Sequence, residues 1–290
     1  MTARSKSDDG LVVLRHDDAR LVLDPGHGGA LREFHCLGHD VLRPSPSQAT
    51  GPFELSAFAM VPYVNRIANG RFAFGGQTVQ LRPNWGGDPH PLHGQGWLAR
   101  WQLIDSSSSE ATLRFEGGDD EWPWRYRAEE HVRITRSSLT LRLSVENLAT
   151  SPMPAMLGLH PYFTDGGHAR VQARLPRVWT TDRTALPLEE VATPADWSFD
   201  TGRPVGAIPL DNCFVGWDGR AVLRWPDRML TLRATNCSCL HVYVPQGRDF
   251  FCLEPQTAAT GALNRDQNEA RVVRPGERYA MRVSLDLGVP

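Results

Sequence analysis

The chain has 290 residues and a formal net charge of −2, with 31 Lys and Arg against 33 Asp and Glu. No basic block stands out, so neither nucleic acid nor an anionic membrane is expected as a partner, and the length admits one large domain or two smaller ones. Five cysteines (Cys36, Cys213, Cys237, Cys239, Cys252) include no CxxC pair, which indicates neither a disulfide framework nor a zinc ribbon.

In chain order, a polar stretch over residues 1–10 has no signal-like apolar core and is expected to be a poorly ordered tail. No apolar window approaches the roughly 18 residues of a membrane span. A soluble protein of a reducing compartment, the cytoplasm, is the expectation. Short apolar runs at Leu11 to Leu14 and Leu21 to Leu23 read as strands. The glycines at 26, 28 and 29 that come next lack the amphipathic helix and distant acidic residue of a dinucleotide loop, so a tight turn accounts for them.

Period-two alternation then dominates. Leu139, Leu141, Leu143 and Val145 fall on one side of a strand, as do Tyr279, Met281, Val283, Leu285 and Leu287 of another, the mark of half-buried antiparallel strands. Turn-rich segments separate such runs, and Ser106 to Ser109 reads as a hairpin tip. The stretch from Thr180 to Pro209 is read as a long excursion over the surface. Roughly fifteen to twenty candidate strands and no long helical period predict an all-β protein, a large antiparallel two-sheet β-sandwich over residues 11–290 as one domain.

Four segments are polar where such a protein would carry only turns: NRIANGRF from Asn65, LHGQGW with His93, GLHPYF with His160, and LEPQT with Glu254. Pro161 biases His160 toward extended geometry, placing its imidazole where strand becomes loop; a packed, hydrogen-bonded core histidine is the alternative. Glu254 follows the apolar run Phe250 to Leu253. A carboxylate buried there without partners acquires a raised pKa, as a general base near pH 7 requires; an ordinary Glu-Pro turn or a salt bridge to Arg66 is the alternative. His93 and Asp211 could bind hydroxyls or be structural. Trp85, Trp97, Trp101, Trp122 and Trp124 suit a sugar site or a core, and core is expected for most of them. Serine-nucleophile motifs are missing, and His90, His93, His160 and Glu254 could form a cupin-like metal set.

In this order and spacing, NRIANGRF, LHG with GW, GLHPYF, the Asp of LDNCF and LEPQT resemble the aldose 1-epimerase (mutarotase) family over about Leu11 to Leu287. The resemblance implies a galactose-mutarotase-like supersandwich and a cofactor-free, metal-free isomerase acting on a free small-molecule sugar. It also implies Glu254 as general base, His160 as general acid, and Asn65, Arg66, His93 and Asp211 as sugar-binding residues. A catalytically idle carbohydrate-binding or sensor protein on the same scaffold is the alternative, and either a monomer or a homodimer is compatible. Pro161 stands where many members have Thr, and Thr164-Asp165 where they have Asn-Leu, so the identity of the sugar does not carry over, and a pentose, a hexose or a sugar phosphate stays open.

Overall fold

The computed structural model describes residues 10–119, 121–165, 167–265 and 269–288; the tail expected over residues 1–10 lies outside them except for Gly10. Two large antiparallel sheets, of eleven and nine strands, dominate, with two small two-stranded ribbons beside them. The one α-helix among the described residues is a single turn, Ala262–Arg265. The all-β expectation therefore holds.

Alternation explains how the sheets face each other. In the nine-stranded sheet, Ser138–Asn147 pairs with Trp122–Ile134 on one edge and Arg278–Gly288 on the other. Leu139, Leu141, Leu143 and Val145 are all buried, as are Met281, Val283 and Leu285. Trp97, Trp101, Trp122 and Trp124 are buried, and Trp85 packs half-buried at their margin. Both sheets feed one apolar cluster. Burial of this kind, at about 25 cal/mol per Å² of apolar surface, is the main favourable term in folding.

Five strands of the larger sheet form the floor beneath the polar segments. They are β1 (Ala57–Met60), β2 (Gly158–Thr164), β3 (Leu210–Val215), β4 (Cys239–Val244) and β5 (Phe250–Gln256). They lie side by side in the order β1-β2-β5-β4-β3.

Three sequence expectations need correction. Residues Thr180 to Pro209 are not one loop: Pro187–Ala192 pairs with Arg177–Thr181 at the edge of the larger sheet, and Arg203–Pro204 closes an edge of the smaller one. Edge strands are held mainly by backbone pairing, and Leu188 points outward at 64% exposure, so no burial alternation marked them. His160 and Glu254 lie inside β2 and β5 rather than at strand ends. Prolines explain why the sequence looked like a boundary. Between Gly158↔Gln256 and Tyr162↔Cys252 the ladder pairing is interrupted, and Pro161 and Pro255, which carry no N–H to donate, fall in that gap. His160 and Glu254 face each other across it.

Candidate active site

On β2, β5, β4 and β3, one set of alternate residues (Leu159, Phe163; Phe251, Leu253; Leu240, Val242; Phe214) enters the apolar core. The other set reads His160 and Tyr162, Cys252 and Glu254, His241 and Tyr243, Asp211 and Cys213. The register places His241 directly opposite Glu254 and also opposite Cys213. A cavity of about 280 Å³ opens over this second face, near the lower bound of about 300 Å³ for small-molecule sites. His160, Glu254, His241, Asp211, Asn65 and Arg66 line it, together with His93 and an aromatic wall of Phe53, Tyr162, Tyr243 and Phe250.

His160 Nε2 stands 3.2 Å from Glu254 Oε1, with the two residues 5% and 2% exposed. The second carboxyl oxygen of Glu254 accepts a hydrogen bond from Gln256 Nε2 at 3.1 Å. Burial pushes the Glu254 pKa up to about 7, against the downward pull of the nearby His241. Burial likewise pushes His160 down to about 3. Phe58 and Tyr162 flank the imidazole at ring separations of 4.6 and 4.8 Å.

His241 is the site residue that sequence reasoning missed. Its Nε2 lies 2.8 Å from Asp211 Oδ1, and its Nδ1 lies 3.4 Å from Asn65 Nδ2. Burial disfavours its charged form, but the carboxyls of Glu254 and Asp211 outweigh this and raise its pKa well above the usual imidazole range. Asp211 keeps a 44% exposed side chain facing the cavity. Burial opposes its charge too, yet the His241 hydrogen bond holds it below the usual carboxylate value. The available signal was period two: with Leu240, Val242 and Val244 in the core, His241 and Tyr243 must share the opposite face.

Two loop segments supply the rest of the wall. Asn65 and His93 both adopt left-handed backbone, with φ of 52° and 57°, a conformation that costs an ordinary residue of order 1–3 kcal/mol and collects at functional sites. They hold each other: the His93 N–H donates to the Asn65 carbonyl at 3.0 Å, and the Asn65 N–H donates to His93 Nδ1 at 3.2 Å. With Nδ1 an acceptor and burial lowering its pKa, His93 is a neutral imidazole with its proton on Nε2. Gly94 makes this turn possible, because a Cβ there would lie 2.2 Å from the Val61 carbonyl oxygen. Trp97 donates its indole N–H to the Gly94 carbonyl at 3.1 Å and packs edge-on to His93. Asn65 Oδ1 accepts the Arg66 amide at 2.9 Å, which fixes the orientation of the Asn65 amide. Arg66 Nε donates to Asp88 at 2.9 Å, so its ion pair is with Asp88 and not with Glu254.

All six sequence-predicted residues thus border one cavity. The cupin-like metal set is not assembled: His90 accepts the Asn69 amide at 3.0 Å and sits near Thr184 instead. Among the described residues, the grouping with donor atoms close enough for a metal is His160, Cys252 and Glu254. No described helix is long and apolar enough to cross a membrane.

Comparison with known proteins adds to this picture. The family model described as aldose 1-epimerase matches residues 10–286. The uncharacterized protein YphB of Escherichia coli K12 is 30% identical over 287 residues, covering 95% of this chain and 98% of its own length. An aldose 1-epimerase of Escherichia coli K12 is 32% identical over 143 residues, 46% of this chain and 39% of that protein. The crystal structure of a candidate aldose 1-epimerase of the same organism superposes with a TM-score of 0.91 at 29% identity, covering 97% of this chain and 99% of that one. A galactose mutarotase-like protein of Clostridium acetobutylicum shares the fold at a TM-score of 0.87 and 18% identity, over 97% of this chain and 95% of that one.

Proposed function

The chain belongs to the aldose 1-epimerase family, and we propose that it interconverts the α- and β-anomers of a free aldose by general acid/base ring opening and closure. One observation carries the reading: an imidazole and a carboxyl, both buried, stand 3.2 Å apart on the floor of a monosaccharide-sized cavity.

In this scheme Glu254 takes the proton of the C1 hydroxyl while His160 donates one to the ring oxygen. The C1–O5 bond breaks and an open-chain aldehyde forms. Rotation about C1–C2 presents the other carbonyl face, and reversal of both transfers closes the ring. The pair carries one proton in total throughout: it moves from imidazolium plus carboxylate to imidazole plus carboxylic acid and back. Between about pH 3 and about pH 7 the pair holds that one proton, mainly on Glu254, and the imidazolium–carboxylate form is its minor tautomer, reached by proton transfer across the 3.2 Å contact. Each positioned group of this kind contributes about 10²–10⁴-fold.

The remaining lining residues suit sugar hydroxyls. Asp211 offers an acceptor braced by His241, His93 offers an Nε2 donor, and Asn65 and Arg66 add polar edges, while Tyr162, Tyr243 and Phe250 present apolar faces. Arg66 is tied to Asp88, and Arg43 lies behind Tyr162 and Phe250, bonded to the carbonyls of Phe53 and Leu55. Neither is positioned as a free phosphate clamp, which favours an unphosphorylated sugar. A polarimetric panel of freshly dissolved pentoses and hexoses tests the proposal: acceleration of at least one supports it, and acceleration of none rejects it.

A further inference from the structure

Cys252 has no role in the proton transfers between Glu254, His160 and the sugar, yet it shares their face of the sheet. It precedes Glu254 by two residues on β5 and lies across from Tyr162, diagonal to His160. It is fully buried, and its Sγ, a ring nitrogen of His160 and a carboxyl oxygen of Glu254 all lie within 4.8 Å of one another.

The geometry and the donor types point the same way. Tetrahedral zinc binds imidazole nitrogen at about 2.0–2.1 Å and carboxylate oxygen at about 2.0–2.2 Å. The N···O edge of such a tetrahedron is therefore about 3.3–3.5 Å long, and the His160–Glu254 separation is 3.2 Å. One nitrogen, one oxygen and one sulfur suit a borderline-soft ion, whereas Mg²⁺ and Ca²⁺ favour all-oxygen shells. Thiolate and carboxylate together balance a 2+ charge. Three protein ligands also leave a fourth position, and two of the three, His160 and Glu254, line the cavity.

We propose that one Zn²⁺ ion binds across His160, Cys252 and Glu254, occupies both the acid and the base, and so switches the site off. Binding is associative: the ion takes three protein donors, and the thiol and the singly protonated His160–Glu254 pair each give one proton to solvent, with no redox change. The inhibitory half of the proposal rests on the acid/base reading of His160 and Glu254. The site itself does not.

Co²⁺ makes the test specific, because a thiolate ligand gives a near-ultraviolet charge-transfer band whatever the catalytic activity. The full-length, chelator-treated protein is titrated with Co²⁺, and mutarotation is assayed separately against Zn²⁺. The expected result is one equivalent of Co²⁺ with tetrahedral d–d intensity and the thiolate band. Both are lost in Cys252→Ala and Cys252→Ser and kept in Cys239→Ala, which probes the separate Cys213–Cys239 cluster. Zn²⁺ should inhibit the native protein reversibly, with EDTA restoring activity. Sensitivity should fall by about tenfold or more in the Cys252 variants, since even outer-shell substitutions cost about 10–100-fold in metal affinity. The absence of any thiolate band overturns the proposal, as does a band that survives loss of Cys252. Equal Zn²⁺ sensitivity of native and Cys252→Ser proteins overturns the inhibitory half. A protein that shows the band but accelerates no aldose refutes the mutarotase reading and leaves the metal site standing.

Discussion

Each sheet of the sandwich holds a carboxyl buried with a raised pKa, and the two differ in what surrounds them. Glu130, on the strand Trp122–Ile134, is 0% exposed, lies across from Leu113 and Leu143, and has neither oxygen hydrogen-bonded among the described residues. Burial alone pushes it up to about 8. Glu254 is pushed to about 7 by the same cause, but it has Gln256 on one oxygen, His160 at the other, His241 on the neighbouring strand, and a cavity above it. Desolvation makes a carboxyl hold its proton; a reachable substrate and a partner to exchange with are what make that property useful. Glu130 has neither, so we read it as a stability cost, and Glu254 as the base.

The largest effects should separate the two directly. Glu254→Gln keeps the shape and removes the base, so kcat should fall by about 10²–10⁴-fold with the melting temperature maintained. His160→Asn should cost a comparable factor. Glu130→Gln should leave kcat and KM unchanged in the same assay, and a large loss there would erase the distinction.

The next effect is on stability. Replacing an unpartnered buried polar group by an apolar one should stabilise by on the order of 1–3 kcal/mol, so Glu130→Leu should raise the urea midpoint. The sign of the pH dependence comes from linkage. With a folded pKa of about 8 against an ordinary value of 4.5, the native state binds more protons between those values. Native stability therefore falls as pH rises from about 4.5 to about 8. Urea titrations across that window should show the advantage of Glu130→Leu growing with pH and then levelling; a constant or shrinking advantage would mean that Glu130 is solvated or paired.

Smaller effects concern the pH profile of the site. Because the reactive pair carries one proton, kcat/KM should decline as pH rises through about 7, where Glu254 and His160 together lose it, and decline again toward about pH 3. His241 pulls the Glu254 value down. In His241→Gln the alkaline limb should move to higher pH, and KM should rise as Asp211 loses its brace. An alkaline limb left in place would count against electrostatic coupling between His241 and Glu254.

These two carboxyls also mark what could be read from sequence. The strand pattern was legible because Leu139 to Val145 and Met281 to Leu285 alternate cleanly, and the site was legible because its motifs sit on glycine, proline and polar clusters that a β-sheet rarely carries. Glu130 was legible only in part: period two puts it on the buried face with Trp122, Trp124, Tyr126, Ala128, Val132 and Ile134, but that its carboxyl finds no hydrogen-bond partner among the described residues is set by tertiary packing. His241 and Cys252 were hidden because each lies in a strand whose other face is apolar, and a sequence does not say that the second face meets a cavity. Asp88 was missed as the partner of Arg66 because a contact across 22 positions of loop is set by tertiary packing.

The most direct test of the central claim is NMR exchange spectroscopy between α- and β-anomer signals of free aldoses, with the native protein and Glu254→Gln compared at equal concentration near pH 7. The account predicts faster anomer exchange for at least one aldose with the native protein and none above background with the variant. Exchange that persists undiminished in a folded Glu254→Gln protein would contradict it.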